Sequence, residues 1–162
     1  MSLAFLSGFG SAGVPAGASA SAQFAQRSSG IDILLVEDDA ADTSLILRVL
    51  DGHSGVKSAQ ASDAPDLALR QLTGGRIRVD LILLDIHMPR MDGFKFLRGL
   101  RQVRSMASTP VVFLTTAWMA RDATDANNSS AALYVIKPET YDDLEACLDR
   151  VIRRARSGLL SH

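Results

Sequence analysis

The chain has 162 residues, is 47% hydrophobic and 22% charged, and carries 17 basic against 18 acidic side chains. This is a globular composition with room for one domain and a tail, and its near-neutral balance excludes a global field drawing it to nucleic acid. A single cysteine (Cys147) excludes an internal disulfide framework. His53, His87 and His162 lack metal-ligand spacing, and no apolar run nears the ~20 residues of a membrane span. The expectation is a soluble, cytoplasmic protein with no direct nucleic-acid or membrane binding.

Residues 1–30 are rich in Ala, Ser and Gly, which fill 19 of the positions, and carry no charge before Arg27. They lack the basic opening of a signal peptide and the apolar side chains for a core, so a flexible tail is expected. From Ile31 onward, short apolar runs alternate with longer amphipathic segments. Ile31-Asp32-Ile33-Leu34-Leu35-Val36 predicts a first strand that ends in Glu37-Asp38-Asp39. A helix follows over Ala40–Asp51, with Leu45, Ile46, Val49 and Leu50 on one face and Asp39 placed to cap it.

A short strand near Val56–Ala61 precedes a helix that starts at Pro65, where proline suits the first turn, and ends at Gly74-Gly75. Val79–Leu84 is a nearly continuous apolar run of the kind that marks a strand buried on both faces of a parallel sheet. The third helix spans Phe94–Val103, with Phe94, Leu97, Leu100 and Arg101 on one side. Val111–Thr115 and Leu133–Ile136 are the fourth and fifth strands. Tyr141–Arg156 is the last helix, with Leu144, Leu148, Val151 and Ile152 inward. Its Arg150, Arg153, Arg154 and Arg156 suit the dipole at its C-terminal end. The expected fourth helix, Arg121–Ser130, is weak, because Asn127-Asn128-Ser129-Ser130 form helix poorly and show no apolar stripe. The alternation of strand and helix predicts a doubly wound α/β sheet.

In such a sheet, ligands bind beyond the carboxyl ends of the strands. Those ends carry Glu37-Asp38-Asp39, Asp85, Thr115-Thr116 and Lys137-Pro138. Singly, each has an ordinary explanation: Asp39 as a helix cap, Thr115 as a strand residue, Lys137-Pro138 as a turn. Together they form a set suited to binding Mg²⁺ and a phosphoryl group at once. Mg²⁺ takes hard oxygen ligands, commonly carboxylates. Asp85 would be the nucleophile, a role in which carboxylates form acyl phosphates. The Lys137 ammonium would neutralise charge on the phosphoryl oxygens, and the Thr115 hydroxyl would donate to one of them. Met88, Pro89 and Met91 fit a turn with core anchors, and Gly93 a turn or helix start.

The nine residues Asp85-Ile86-His87-Met88-Pro89-Arg90-Met91-Asp92-Gly93 resemble the D-x-x-M-P-x-M-D-G signature of response-regulator receiver domains in two-component signalling. Leu34-Leu35-Val36-Glu37-Asp38 resembles that family's first strand and acidic pair. Thr115 and Lys137 lie 30 and 52 positions beyond Asp85, matching the family's switch Thr and its Lys, and Tyr134 matches its aromatic switch position. The resemblance covers residues 31–156 and leaves tails at 1–30 and 157–162. It implies a flavodoxin-like five-stranded parallel sheet, order 2-1-3-4-5, with helices on both faces.

It also implies that Asp85 is the phosphoacceptor, and that Glu37, Asp38, Asp85 and the His87 backbone carbonyl bind Mg²⁺, Glu37 through water. Thr115 and Tyr134 would shift on phosphorylation and repack the face that partners read. Three features depart from the commonest pattern: Glu37 in place of Asp, Thr116 after the switch Thr, and the weak fourth helix at the family's usual homodimerisation and output surface. His87 and Ala117 stand where the family tunes dephosphorylation.

The reading is a phosphoacceptor that assists its own phosphorylation and dephosphorylation, not an enzyme acting on a separate substrate. Its implied partners are a sensor histidine kinase or phosphotransfer protein and a downstream protein target. Nothing after Ser157 resembles an output domain, so a single-domain regulator is expected; the alternative is a receiver fragment of a DNA-binding regulator or hybrid kinase. An aspartyl-phosphate phosphatase of the haloacid-dehalogenase type would need an Asp where His87 stands.

Overall fold

A computed structural model describes residues 30–116 and 133–160. The expected fourth helix, Ala117, residues 1–29 and His162 lie outside the described residues. Five strands form one parallel sheet in the order β2-β1-β3-β4-β5: β1 (Ile31–Val36), β2 (Val56–Ser62), β3 (Leu81–Asp85), β4 (Val111–Thr115) and β5 (Leu133–Ile136). The described helices are α1 (Ala40–Gly52), α2 (Pro65–Thr73), α3 (Gly93–Arg101) and α4 (Tyr141–Arg156), with a 3₁₀ turn over Arg104–Met106. The strand order and the doubly wound architecture are those the sequence implied.

Strand side chains alternate between the two faces of the sheet, and two cores follow from that. Ile33, Leu35, Leu81, Leu83, Val112 and Leu114 pack against α1 and α4. Leu34, Val36, Ile82, Leu84, Val111 and Phe113 pack against α2 and α3. Every residue of β3 and β4 is buried, which is why those strands lack polar alternation. Within α1 the inward residues are Ile46, Val49 and Leu50. Leu45, expected beside them, is 37% exposed; it stands about 100° from Ile46 around the helix and falls off the stripe.

Capping fixes where the helices begin. Asp39 accepts from the Ala41 and Asp42 backbone N–H groups at 2.8 and 2.9 Å, Asp92 from Lys95 at 2.8 Å and Thr140 from Asp143 at 3.2 Å, each satisfying orphan donors of a first turn. Arg101 faces inward because its Nη1 donates to the carbonyls of Met106 and Thr109 at 3.0 and 2.9 Å. Where a tail was expected from Ser157, residues 157–160 turn back instead. Gly158 takes φ 72°, and Leu160 enters the α1–α4 core with 3% exposure. Among the described residues no helix is long and apolar enough to cross a membrane.

Candidate functional site

The strand register assembles the site in a staggered row. Val36 pairs with Leu84, so Glu37 and Asp85 emerge side by side. Asp85 pairs with Leu114, which sets Thr115 one step further. Thr115 pairs with Ile136, and the next backbone N–H, that of Lys137, donates to the Thr115 carbonyl at 2.8 Å. Glu37, Asp38, Asp85, Thr115 and Lys137 are thus gathered at one edge by pairing of apolar strands. Tyr134 lies lower in β5, half-buried, its ring stacked on Phe113 at 5.1 Å between centroids.

Glu37, Asp85 and Thr115 are buried, whereas Asp38 is exposed. One carboxylate oxygen from each of Glu37, Asp38 and Asp85 lies within 4.8 Å of the others. Asp85 Oδ2 accepts from the His87 backbone N–H at 2.8 Å. The Lys137 Nζ sits 2.6 Å from Glu37 Oε2, 2.7 Å from Asp42 Oδ2 and 3.2 Å from Asp85 Oδ1. Burial pushes the Glu37 carboxyl above its usual range; its hydrogen bond to Lys137 opposes that, and the neighbouring Asp85 charge adds to it. Burial alone would lower the Lys137 ammonium, but hydrogen bonds to Asp42 and Glu37 and the charge of Asp85 outweigh it and hold it well above its ordinary value.

Buried carboxylates of like sign need a cation. Glu37 and Asp85, with the exposed Asp38, offer oxygens at mutual distances that suit a small hard ion of the Mg²⁺ type. The residues present therefore fit such an ion, with Lys137 supplying the positive charge otherwise.

The loop after β3 holds Asp85 in place. The Gly93 N–H donates to the Ile86 carbonyl at 3.0 Å, and a Cβ built at Gly93 would stand 2.5 Å from the Asp85 carbonyl oxygen and 2.8 Å from Phe113 Cε1. Gly93 therefore starts α3 and also permits this close approach, with no room for another residue. In the same loop Arg90 adopts φ 71°, a left-handed conformation that is uncommon outside glycine and often sits near functional positions.

Sequence reasoning missed Asp42. An acid in the first turn of a helix is ordinarily explained by the helix dipole, and nothing local points to its partner 95 positions away.

The model of the response regulator receiver domain family matches residues 33–149. A probable methanogenesis regulatory protein, FilR2 of Methanothrix harundinacea, is 31% identical over 125 residues, 74% of this chain and 79% of that protein. Response regulator Rre1 of Synechocystis sp. is 30% identical over 131 residues, 79% of this chain; the chain spans only 54% of that relative's length. Among solved structures, the receiver domain of a sensor histidine kinase from Pseudomonas aeruginosa is similar, with a TM-score of 0.65 and 27% identity. That likeness covers 79% of this chain and 98% of the other, which carries a magnesium ion coordinated in its active-site cleft.

Proposed function

The chain belongs to the response regulator receiver domain family, and within that family we propose that it accepts a phosphoryl group on Asp85 and signals through a changed protein-binding surface. The observation that carries this reading is the convergence of Glu37, Asp38, Asp85 and Lys137 at neighbouring strand ends. Receiver domains interact with histidine kinases or phosphotransfer proteins, so the donor is a phosphohistidine. An Asp85 carboxylate oxygen forms the new bond to phosphorus as the bond to the donor's imidazole nitrogen breaks, and the imidazole leaves with the electron pair and takes up a proton.

The His87 N–H on Asp85 Oδ2 fixes the rotation of the carboxylate, which leaves one oxygen directed toward Lys137. The Lys137 ammonium and the Thr115 hydroxyl then donate to phosphoryl oxygens as charge grows on them. Glu37, Asp38, Asp85 and the His87 carbonyl would hold Mg²⁺, which when bound supplies positive charge against those same oxygens. As that contact forms, Thr115 moves toward the phosphoryl group and Tyr134 adjusts behind it, which carries the change to the face that includes β5 and α4. The chemistry is the same whether this receiver acts alone in the cytoplasm or within a larger regulator or hybrid kinase.

Intact mass after incubation with Mg²⁺ and acetyl phosphate tests the proposal. Wild type should gain one phosphoryl group, chelator should prevent it, and Asp85→Asn should gain none while remaining folded. Equal labelling of wild type and D85N would remove Asp85 from the role.

A further inference from the structure

We propose that Asp42 is a positioning residue for Lys137, the carboxylate that keeps its ammonium in the site when a divalent cation claims Glu37 and Asp85. The inference rests on the phosphoacceptor reading of the same site. An ammonium has three N–H donors; that of Lys137 donates to Glu37 at 2.6 Å and to Asp42 at 2.7 Å and stands in ion-pair contact with Asp85 at 3.2 Å. Two of those carboxylates belong to the group able to hold a metal ion; Asp42 does not.

A cation entering that group draws on Asp85 directly and on Glu37 through water, the two acids that Lys137 also contacts, and repels its charge. Without a further partner the ammonium would have either to block the cation or to leave a site in which its side chain is only 8% exposed. Asp42 supplies that partner from a different element. It stands in the first turn of α1, where its N–H is fixed by Asp39 at 2.9 Å. Its side chain is 32% exposed, so its charge was never fully desolvated, and it can hold or release Lys137 at small cost. The arrangement keeps a mobile positive charge beside Asp85 without spending the metal's ligands on it.

The test is a double-mutant cycle of Asp42→Asn and Lys137→Met, read as Mn²⁺ affinity by titration calorimetry at fixed ionic strength. D42N should weaken binding about three- to tenfold, because Lys137 then falls back on Glu37 and Asp85 alone. K137M should bind Mn²⁺ more tightly than wild type, since the competing cation is gone. In the K137M background D42N should cost less than about twofold, because Asp42 acts through Lys137. Equal losses from D42N in both backgrounds would show a direct field on the metal and overturn the inference, as would a D42N affinity unchanged from wild type. A wild-type protein that binds no Mn²⁺ would instead overturn the reading of the site itself. Lys137→Gln replaces K137M should the latter fail to fold, with melting in Mn²⁺ as the check on folding.

Discussion

Lys137→Met removes the ammonium of the site while keeping most of its aliphatic stem. That ammonium stands 2.6 Å from Glu37 and 3.2 Å from Asp85, whose side chains are 2% and 8% exposed, so water does not replace it. Asp42, with its side chain 32% exposed, turns to solvent and contributes little to the penalty. Deleting one partner of a buried ion pair costs about 3–5 kcal/mol, and protonation of a carboxyl caps that cost. K137M should therefore lose about 2–4 kcal/mol of stability at neutral pH in chelator. Glu37 is already raised by burial with Lys137 opposing, so losing Lys137 raises it further. A carboxyl whose folded pKa exceeds its unfolded value destabilises the fold in full above the folded pKa; the penalty shrinks as pH falls below it and is gone below the unfolded pKa. The deficit of K137M relative to wild type should accordingly shrink on acidification toward about pH 5, and Mg²⁺ should shrink it at neutral pH. Urea unfolding followed by far-ultraviolet circular dichroism, with chelator and with Mg²⁺ at both pH values, measures each term. A K137M midpoint equal to wild type in chelator, or a deficit indifferent to both acid and Mg²⁺, would refute the charge-compensation argument.

Gly93→Ala places a methyl 2.5 Å from the Asp85 carbonyl oxygen and 2.8 Å from Phe113 Cε1. It should cost about 2 kcal/mol in urea unfolding and slow labelling by acetyl phosphate; a neutral G93A would mean that the loop yields freely. Leu160→Ala should cost about 2–3 kcal/mol, because Leu160 is 3% exposed within the α1–α4 core, and an unchanged urea midpoint would place that turn outside the cooperative unit. Hydrogen bonds from Lys57 and then Ser58 hold the Asp32 carboxyl below its usual range. Such a group adds stability above its unfolded pKa and loses it as pH falls through the folded one. Asp32→Asn should thus be slightly less stable than wild type at neutral pH and converge with it below about pH 4; parallel stability curves would count against that pairing.

What was legible in the sequence had local causes. β3 and β4 are buried on both faces, so their sequences are apolar throughout and announce a central parallel position. Asp39 caps α1 through neighbours two and three residues away, which a linear reading detects. The strand-end set of Glu37, Asp38, Asp85, Thr115 and Lys137 was legible because a parallel sheet puts every carboxyl end on one edge. What stayed hidden depended on distant partners. Asp42 reads as an ordinary first-turn acid until Lys137, 95 positions on, is seen beside it. Leu160 reads as tail because the core it enters is also built from strands and a helix far earlier in the chain, Ile33 and Leu50 among them. Leu45 was misplaced because helical periodicity fixes a stripe but not where its rim meets solvent.

The charge balance at the strand ends also indicates where a new charge on Asp85 would be felt. Glu37, Asp42 and Asp85 share Lys137, so added negative charge on Asp85 draws the ammonium toward it and away from the other two. Glu37 directly follows β1 and Asp85 ends β3, strands whose final residues are buried between two helix layers, and close-packed interiors resist small displacements. Lys137 instead follows β5, the edge strand, whose residues are only half-buried and whose last residue, Ile136, is 60% exposed. Its backbone is tied to Thr115 at 2.8 Å, and Tyr134 in the same strand stacks on Phe113. A pull on Lys137 therefore meets its least resistance along β5, and any resulting change emerges at the edge of the sheet beside α4 rather than within either core.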